Sequence, residues 1–192
     1  MADIFKAELD PGKFDVVSAW LSRQEWTAGA DVAPDSLTAV TSYRFDDPAG
    51  DVGVEIHIVA ADDRVFQVPL TYRGEPLAGA DDVFISEMSH SILGTRYVYA
   101  GIGDPVFQQQ LDATIADAGS SAVQHQVDDQ GNRIGEITEV ARVVGTGPLP
   151  GAPSVQVVDE LDLNEAADTT QQGLLIGTWD GQETPVVLAR MI

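Results

Sequence analysis

Three histidines, 31 Asp and Glu residues and no cysteine make up the reactive inventory of this 192-residue chain. His57, His90 and His125 show no HxH, HExxH or H-x-D spacing. A metal centre would have to draw one ligand from each of three distant elements, so none is expected. His57 alternates with apolar neighbours on what reads as a strand, which predicts a solvent-facing ring. Adjacent acids at Asp46-Asp47, Asp62-Asp63, Asp81-Asp82 and Asp128-Asp129 could in principle supply the acid and nucleophile of glycoside hydrolysis. Such pairs also arise wherever turns are built from Asp, and aromatic residues are only 7% of the chain, which leaves few sugar platforms. The acidic stretch Asp159, Glu160, Asp162, Glu165, Asp168 lacks the Asp-x-Asp-x-Asp-Gly order of a calcium loop and is expected to be solvated. Gly101-Ile-Gly103 opens a helix as a phosphate-binding turn would. However, Asp104 puts a negative charge where the anion would sit and Pro105 removes an N–H, so the segment reads as a helix cap. No G-x-S-x-G elbow supports a serine nucleophile.

The charge balance narrows the field further. Ten Lys and Arg against the acids leave a formal net charge of −21, which repels phosphate backbones and anionic lipid; no nucleic-acid or membrane partner is expected. Lys6 and Lys13 are the only lysines, so Schiff-base and P-loop chemistry are excluded, and no cofactor is expected. Acidic residues interrupt the apolar runs of the N-terminus, where neither a signal segment nor a membrane span can be read, and a cytoplasmic location is the default expectation.

Two helices and a set of strands must position these residues. Phe14, Val17, Trp20 and Leu21 recur at helical spacing and predict a helix over about residues 13–25, with Trp20 in the core and Trp26 past the apolar stripe as a surface anchor. Strands are expected at 36–45, 52–60 and 64–73, the last two forming a hairpin about Asp62-Asp63. Pro69 argues that the third is an edge strand or carries a bulge. Residues 74–82 read as a loop and 83–99 as strand, turn at Gly94, strand. The second helix, about 105–118, has Asp104 as N-cap, Pro105 at its first position, and Phe107, Leu111 and Ile115 on one stripe. Beyond it come strands at 123–127, 134–144 and 154–161, a turn at 128–132, and a closing hairpin of 174–179 and 184–191 about Asp180-Gly181. The expected fold is α+β: two helices packed on a mainly antiparallel, curved sheet, with a β-rich C-terminal third. Residues 1–120 and 121–192 are expected to pack together as one compact unit.

Particular strings carry a resemblance. Trp20-Leu-Ser-Arg-Gln-Glu-Trp26-Thr-Ala-Gly29, Phe66-Gln-Val-Pro-Leu-Thr-Tyr-Arg73, Asp81-Asp-x4-Glu87-x2-His90-x2-Leu93-Gly94-x-Arg96-Tyr-Val-Tyr99 and Asp104-Pro105 resemble the N-terminal cap domain of actinobacterial maltokinases. They are closer still to stand-alone cap-like proteins of those bacteria, associated with α-glucan branching. The resemblance covers about residues 1–119 and implies a helix on a curved antiparallel sheet of cystatin-like topology. In the maltokinases a kinase body follows. Here the closing hairpin is similar to the start of such a lobe, but Arg190 stands near where an ATP-pairing lysine belongs. Glycine-rich loop, catalytic loop and D-F-G-like metal motif do not occur in the 192 residues. The resemblance therefore implies a cap without kinase chemistry, and no catalytic residue carries over.

The reading that follows is a non-catalytic interaction or regulatory module connected with maltose, trehalose or α-glucan metabolism, acting through a protein partner or self-association. Its expected binding residues are Trp26, Arg96, Tyr97 and Tyr99, although Arg96 also has the character of a structural salt bridge. The alternative is a small-molecule or sugar-binding protein with a pocket lined by Trp and Tyr between the helical half and the C-terminal strands. A glucan-active enzyme using paired carboxylates ranks below both.

Overall fold

The computed structural model describes every residue except Met1 and Asp129; the latter belongs to the expected 128–132 turn and to the Asp128-Asp129 pair, and lies outside the described residues. In chain order the elements are β1 (Ala2–Phe5), β2 (Leu9–Asp10), α1 (Lys13–Leu21), β3 (Thr38–Phe45), β4 (Val52–Ala61), β5 (Arg64–Arg73), β6 (Phe84–His90), β7 (Gly94–Ala100) and α2 (Pro105–Ala116). They continue with β8 (Gln124–Val127), β9 (Arg133–Ile137), β10 (Arg142–Gly145), β11 (Val155–Val157), β12 (Leu174–Trp179) and β13 (Gln182–Met191). The fold is α+β and rich in β structure. An antiparallel sheet of order β2-β6-β7-β5-β4-β3 is sandwiched between α1 on one face and, on the other, α2 with a four-stranded sheet of order β10-β12-β13-β11. A three-stranded sheet, β1-β8-β9, pairs β1 parallel to β8.

Alternation along β4 and β5 builds both cores. Val59, Phe66, Val68 and Leu70 pack with Val16, Val17 and Leu21 of α1. Ile56, Ile58 and Tyr43 point the other way, onto Phe107, Leu111 and Ile115 of α2 and onto Leu175 and Leu188 of the C-terminal sheet. Gln67 ties these layers together. Its carbonyl accepts from the Tyr43 hydroxyl at 2.8 Å, and its amide donates at 2.9 Å to the carbonyls of Val158 and Leu188. At β10, Gly145 lets the backbone lie against α2: a Cβ there would come within 2.7 Å of the Ile115 Cα.

Five expectations are corrected. Helix α1 ends at Leu21 rather than near residue 25, because side chains take over the carbonyls that another turn would use: Thr27 Oγ1 donates to Leu21 at 3.0 Å and Gln24 to Trp20 at 3.2 Å. His57 is buried, 6% exposed, because the face of β4 expected to meet water is roofed from the α1 side. Pro69 lies in an interior strand. On the side of β5 away from β4, β7 pairs with residues 70–73, and the chain at Asp159 and Glu160 meets Phe66 and Gln67, so the proline falls in the gap between them where no donor is needed. The acidic stretch is solvated as expected at Glu160, Asp162, Glu165 and Asp168, but not at half-buried Asp159. Asp159 accepts from the Gln67 amide at 2.8 Å, and Glu160 pairs with Arg64 at 2.6 Å. The run 134–144 divides into β9 and β10, which belong to different sheets.

Candidate functional site

Polar groups concentrate at two buried places. The first is on the α1 face of the large sheet. Glu55 of β4 is 4% exposed, and its carboxylate accepts from Lys13 Nζ at 2.8 and 2.9 Å and from Arg44 at 2.7 Å. Arg44 reaches it from the adjacent strand, where it stands directly opposite in register, and Lys13 from the first turn of α1. Burial pushes the Glu55 carboxyl up, but Arg44 and Lys13 outweigh it and hold the group well below the usual carboxylate range. His57, two residues along the same face, lies 3.6 Å from Glu55 and 3.3 Å from the Tyr72 hydroxyl. Burial lowers its pKa to about 4 and outweighs the pull of Glu55, so the ring is neutral at pH 7 and makes no ion pair there. Burial also raises Tyr72 well above its ordinary value. Arg44 Nε is buried with no hydrogen-bond partner among the described residues.

The second place is the entry to α2. Asp104 is fully buried. It accepts from Arg73 Nε and Nη2 at 2.7 Å each, from Thr71 Oγ1 at 2.7 Å and from the Val106 amide at 2.9 Å, so one side chain caps the helix and fastens it to β5. Burial pushes this carboxyl up, but the bonds from Arg73, Thr71 and Val106 prevail and hold it below its ordinary value. The sequence identified Asp104 as an N-cap, though not its bond to Arg73, which lies 31 residues earlier. It gave no sign of the Glu55 cluster, whose only local signal is a Glu placed two residues from a His in a strand that turns out to be covered on both faces.

The four residues expected to bind do not form one site. Trp26 packs on Phe66 with ring centroids 5.6 Å apart, and its carbonyl accepts from Arg64 at 2.6 Å. Arg96 sits past the other end of β5, next to Gly74, roughly 25 Å away at strand rise. Arg96 donates to the Leu93 carbonyl and makes no ion pair among the described residues, so the expected salt bridge is absent from them. Tyr97, half-buried, lies opposite Glu87 and Arg73 on the other face of β7. Tyr99 is buried, its ring edge-on to Phe84 and its hydroxyl accepting from the Leu77 amide at 2.9 Å.

Two shallow cavities are present. One, of about 350 Å³, lies between α2 and residues 120–123 and is lined by Phe45, Asp46, Gln110, Thr114 and Ser121; the other, of about 440 Å³, is lined by Lys6, Glu8, Ser91 and Ile92. Neither touches a buried cluster. Among the described residues no group of three His, Asp or Glu is arranged to hold a metal ion, and no helix is long and apolar enough to cross a membrane.

The large antiparallel sheet carries one helix on its first face, and its buried acids are tied to neighbouring elements. Residues 20–104 match the sequence model of the maltokinase N-terminal cap domain. The match runs from Trp20 near the end of α1, through β3 to β7, to Asp104 at the cap of α2. No curated protein matches the chain significantly.

Proposed function

We propose that this protein is a non-catalytic interaction or regulatory module of the maltokinase-cap type, working in the cytoplasm in the handling of maltose, trehalose or α-glucan, with residues 1–120 and 121–192 acting as one compact unit. The observation that carries this reading is where the buried acids are spent. Glu55 is engaged by Lys13 and Arg44, and Asp104 by Arg73, Thr71 and the Val106 amide, so both serve to join elements of the fold. A general acid or nucleophile needs a free oxygen facing substrate. The Gln67 bonds to Val158 and Leu188 support the single unit. A sugar-binding role would call for a pocket lined by Trp and Tyr; the cavity beside α2 is lined instead by Gln110, Thr114 and Ser121.

The test is a cross-linking pull-down at native concentration from the cell of origin, alongside a thermal-shift screen with maltose, trehalose, glucan oligomers, maltose 1-phosphate and nucleotides. Specific capture of an enzyme of α-glucan, maltose or trehalose metabolism, without a shift by the small molecules, is the expected result. Recovery of the bait alone, or turnover of any of these compounds, would overturn the proposal.

A further inference from the structure

The ten cations of this chain are few enough to follow one by one. Lys13, Arg44, Arg64, Arg73 and Arg133 pair with carboxylates. Arg23 donates to the carbonyls of Phe84 and Ile85, and Arg96 to that of Leu93. Lys6, Arg142 and Arg190 remain, with no side-chain hydrogen bond or ion pair among the described residues. Two of these three lie on one surface. Val143, Leu175 and Leu188 turn one face of the C-terminal sheet into the core, which leaves Arg142, Val144, Ile176, Val187 and Arg190 on the opposite face. Val144 is 43% exposed, Val187 is half-buried, Ile176 is only 7% exposed and forms the floor between them, and both arginines are exposed. None of the residues paired in register on that face is a carboxylate.

The geometry is that of an aliphatic strip between two charges. Arg142 stands opposite Thr178 on β12, and Arg190 stands opposite Leu174 on the same strand from the other side. Two strand spacings across and four residues along put their Cα atoms roughly 16 Å apart, with Val144, Ile176 and Val187 between. We propose that this face is a docking surface for an acidic segment of another protein, with carboxylates over Arg142 and Arg190 and an aliphatic side chain between them on Val144 and Val187. This inference rests on the interaction-module reading and names the surface and partner chemistry it would use. Charge selects the occupant. A basic partner is drawn to the acidic remainder of the surface and repelled here, whereas the carboxylates of an acidic segment find two unpaired cations on this face. An extended segment covers 16 Å in about five residues, which sets the spacing of its acids.

The experiment pans a random ten-residue peptide display library on the intact immobilised chain, then measures a labelled consensus peptide by fluorescence polarisation. The expected consensus has two acids about five residues apart with aliphatic residues between. Its affinity should fall at least tenfold in the R142E/R190E variant, stay within threefold in R142K/R190K, and be unchanged in K6E. Circular dichroism verifies that each variant is folded. A consensus without acids, no consensus at all, equal binding to R142E/R190E, or a dimer in sedimentation that buries this face would each overturn the assignment. If a native partner is captured equally by wild type and R142E/R190E, the docking face falls while the module reading stands. If only bait is recovered, the module reading falls as well.

Discussion

Acid should destabilise this protein through His57 before it reaches the carboxylates. The ring is buried beside Lys13 and Arg44, with a folded pKa of about 4 against an ordinary 6.5. Between those values the unfolded chain binds a proton that the folded chain refuses, so stability falls as pH drops through 6.5 and the loss is complete near 4. A shift of this size corresponds to about 3 kcal/mol in all, of which about 2 kcal/mol is lost by pH 5. Glu55 behaves differently. Its carboxyl is held low, so its contribution is intact above the ordinary carboxylate value of 4.5 and is lost from there downward, below most of the His57 window. The check is urea unfolding of wild type and His57→Gln at pH 7.5, 6 and 5, followed by tryptophan fluorescence. The glutamine variant removes the titrating group but keeps a polar partner for the Tyr72 hydroxyl. Relief of the overall negative charge and the titration of His90 are common to both proteins and cancel in the difference. The expected result is a gap between the two stabilities that changes by about 2 kcal/mol from pH 7.5 to 5 in favour of the variant. Parallel pH dependences would refute the reasoning, whatever the variant costs at neutral pH.

Three further outcomes follow from the packing. Asp104→Ala leaves Arg73 and Thr71 without their acceptor and α2 without its cap, and should lower the unfolding free energy by about 3–5 kcal/mol, with Asp104→Asn losing less, as read from urea midpoints. Gly145→Ala should cost at least ~2 kcal/mol because the new methyl meets the α2 backbone at Thr114 and Ile115, whereas Gly135→Ala, which meets open space, should be close to neutral; thermal melts of the pair decide this. Gln67→Leu strands the Tyr43 hydroxyl and frees the carbonyls of Val158 and Leu188, and should cost about 3 kcal/mol while the wild type unfolds in one transition by both circular dichroism and fluorescence. Two separated transitions in the wild type would contradict the single unit.

What could be read from the sequence was what depends on neighbours in the chain. The β4–β5 hairpin shows in the Asp62-Asp63 turn between two β-branched runs, and α2 shows in Asp104, Pro105 and the Phe107, Leu111, Ile115 stripe. Position in the sheet depends on partners far away, and there local rules gave the wrong side. Alternation assigned His57 to solvent because Val54, Ile56 and Ile58 filled the inward positions, yet α1 and Tyr72 cover the other face as well. Pro69 obeyed the rule that a proline needs a place without a ladder partner; a gap between β7 and the 159–160 segment supplies that place inside the sheet. The spacing of the expected binding residues was hidden for a related reason. Arg96 and Trp26 are placed near opposite ends of β5, a separation that only the strand register reveals.

The distribution of cations shows how an acid-rich chain holds itself together. Four of the five carboxylate-paired cations join elements distant in sequence, Lys13 to β4, Arg64 to the segment after β11, Arg73 to α2 and Arg133 to β1, while Arg44 pairs across the neighbouring strands β3 and β4. In a chain with three acids for every cation, a cation can find a carboxylate almost anywhere on the surface, and each exposed pair contributes only about 0–1 kcal/mol. The long-range pairs are therefore set by geometry, with Glu55 and Asp104 buried so that a charge left alone there would be costly. Arg142 and Arg190 break that rule in the opposite sense. They have acids available throughout the molecule, yet stand on a sheet face whose paired positions contain none, beside an exposed Val144. Folding alone does not require two unpaired arginines to flank an aliphatic strip, since a carboxylate at Thr178 or Val187 would satisfy either one. A partner that brings the carboxylates itself does require them.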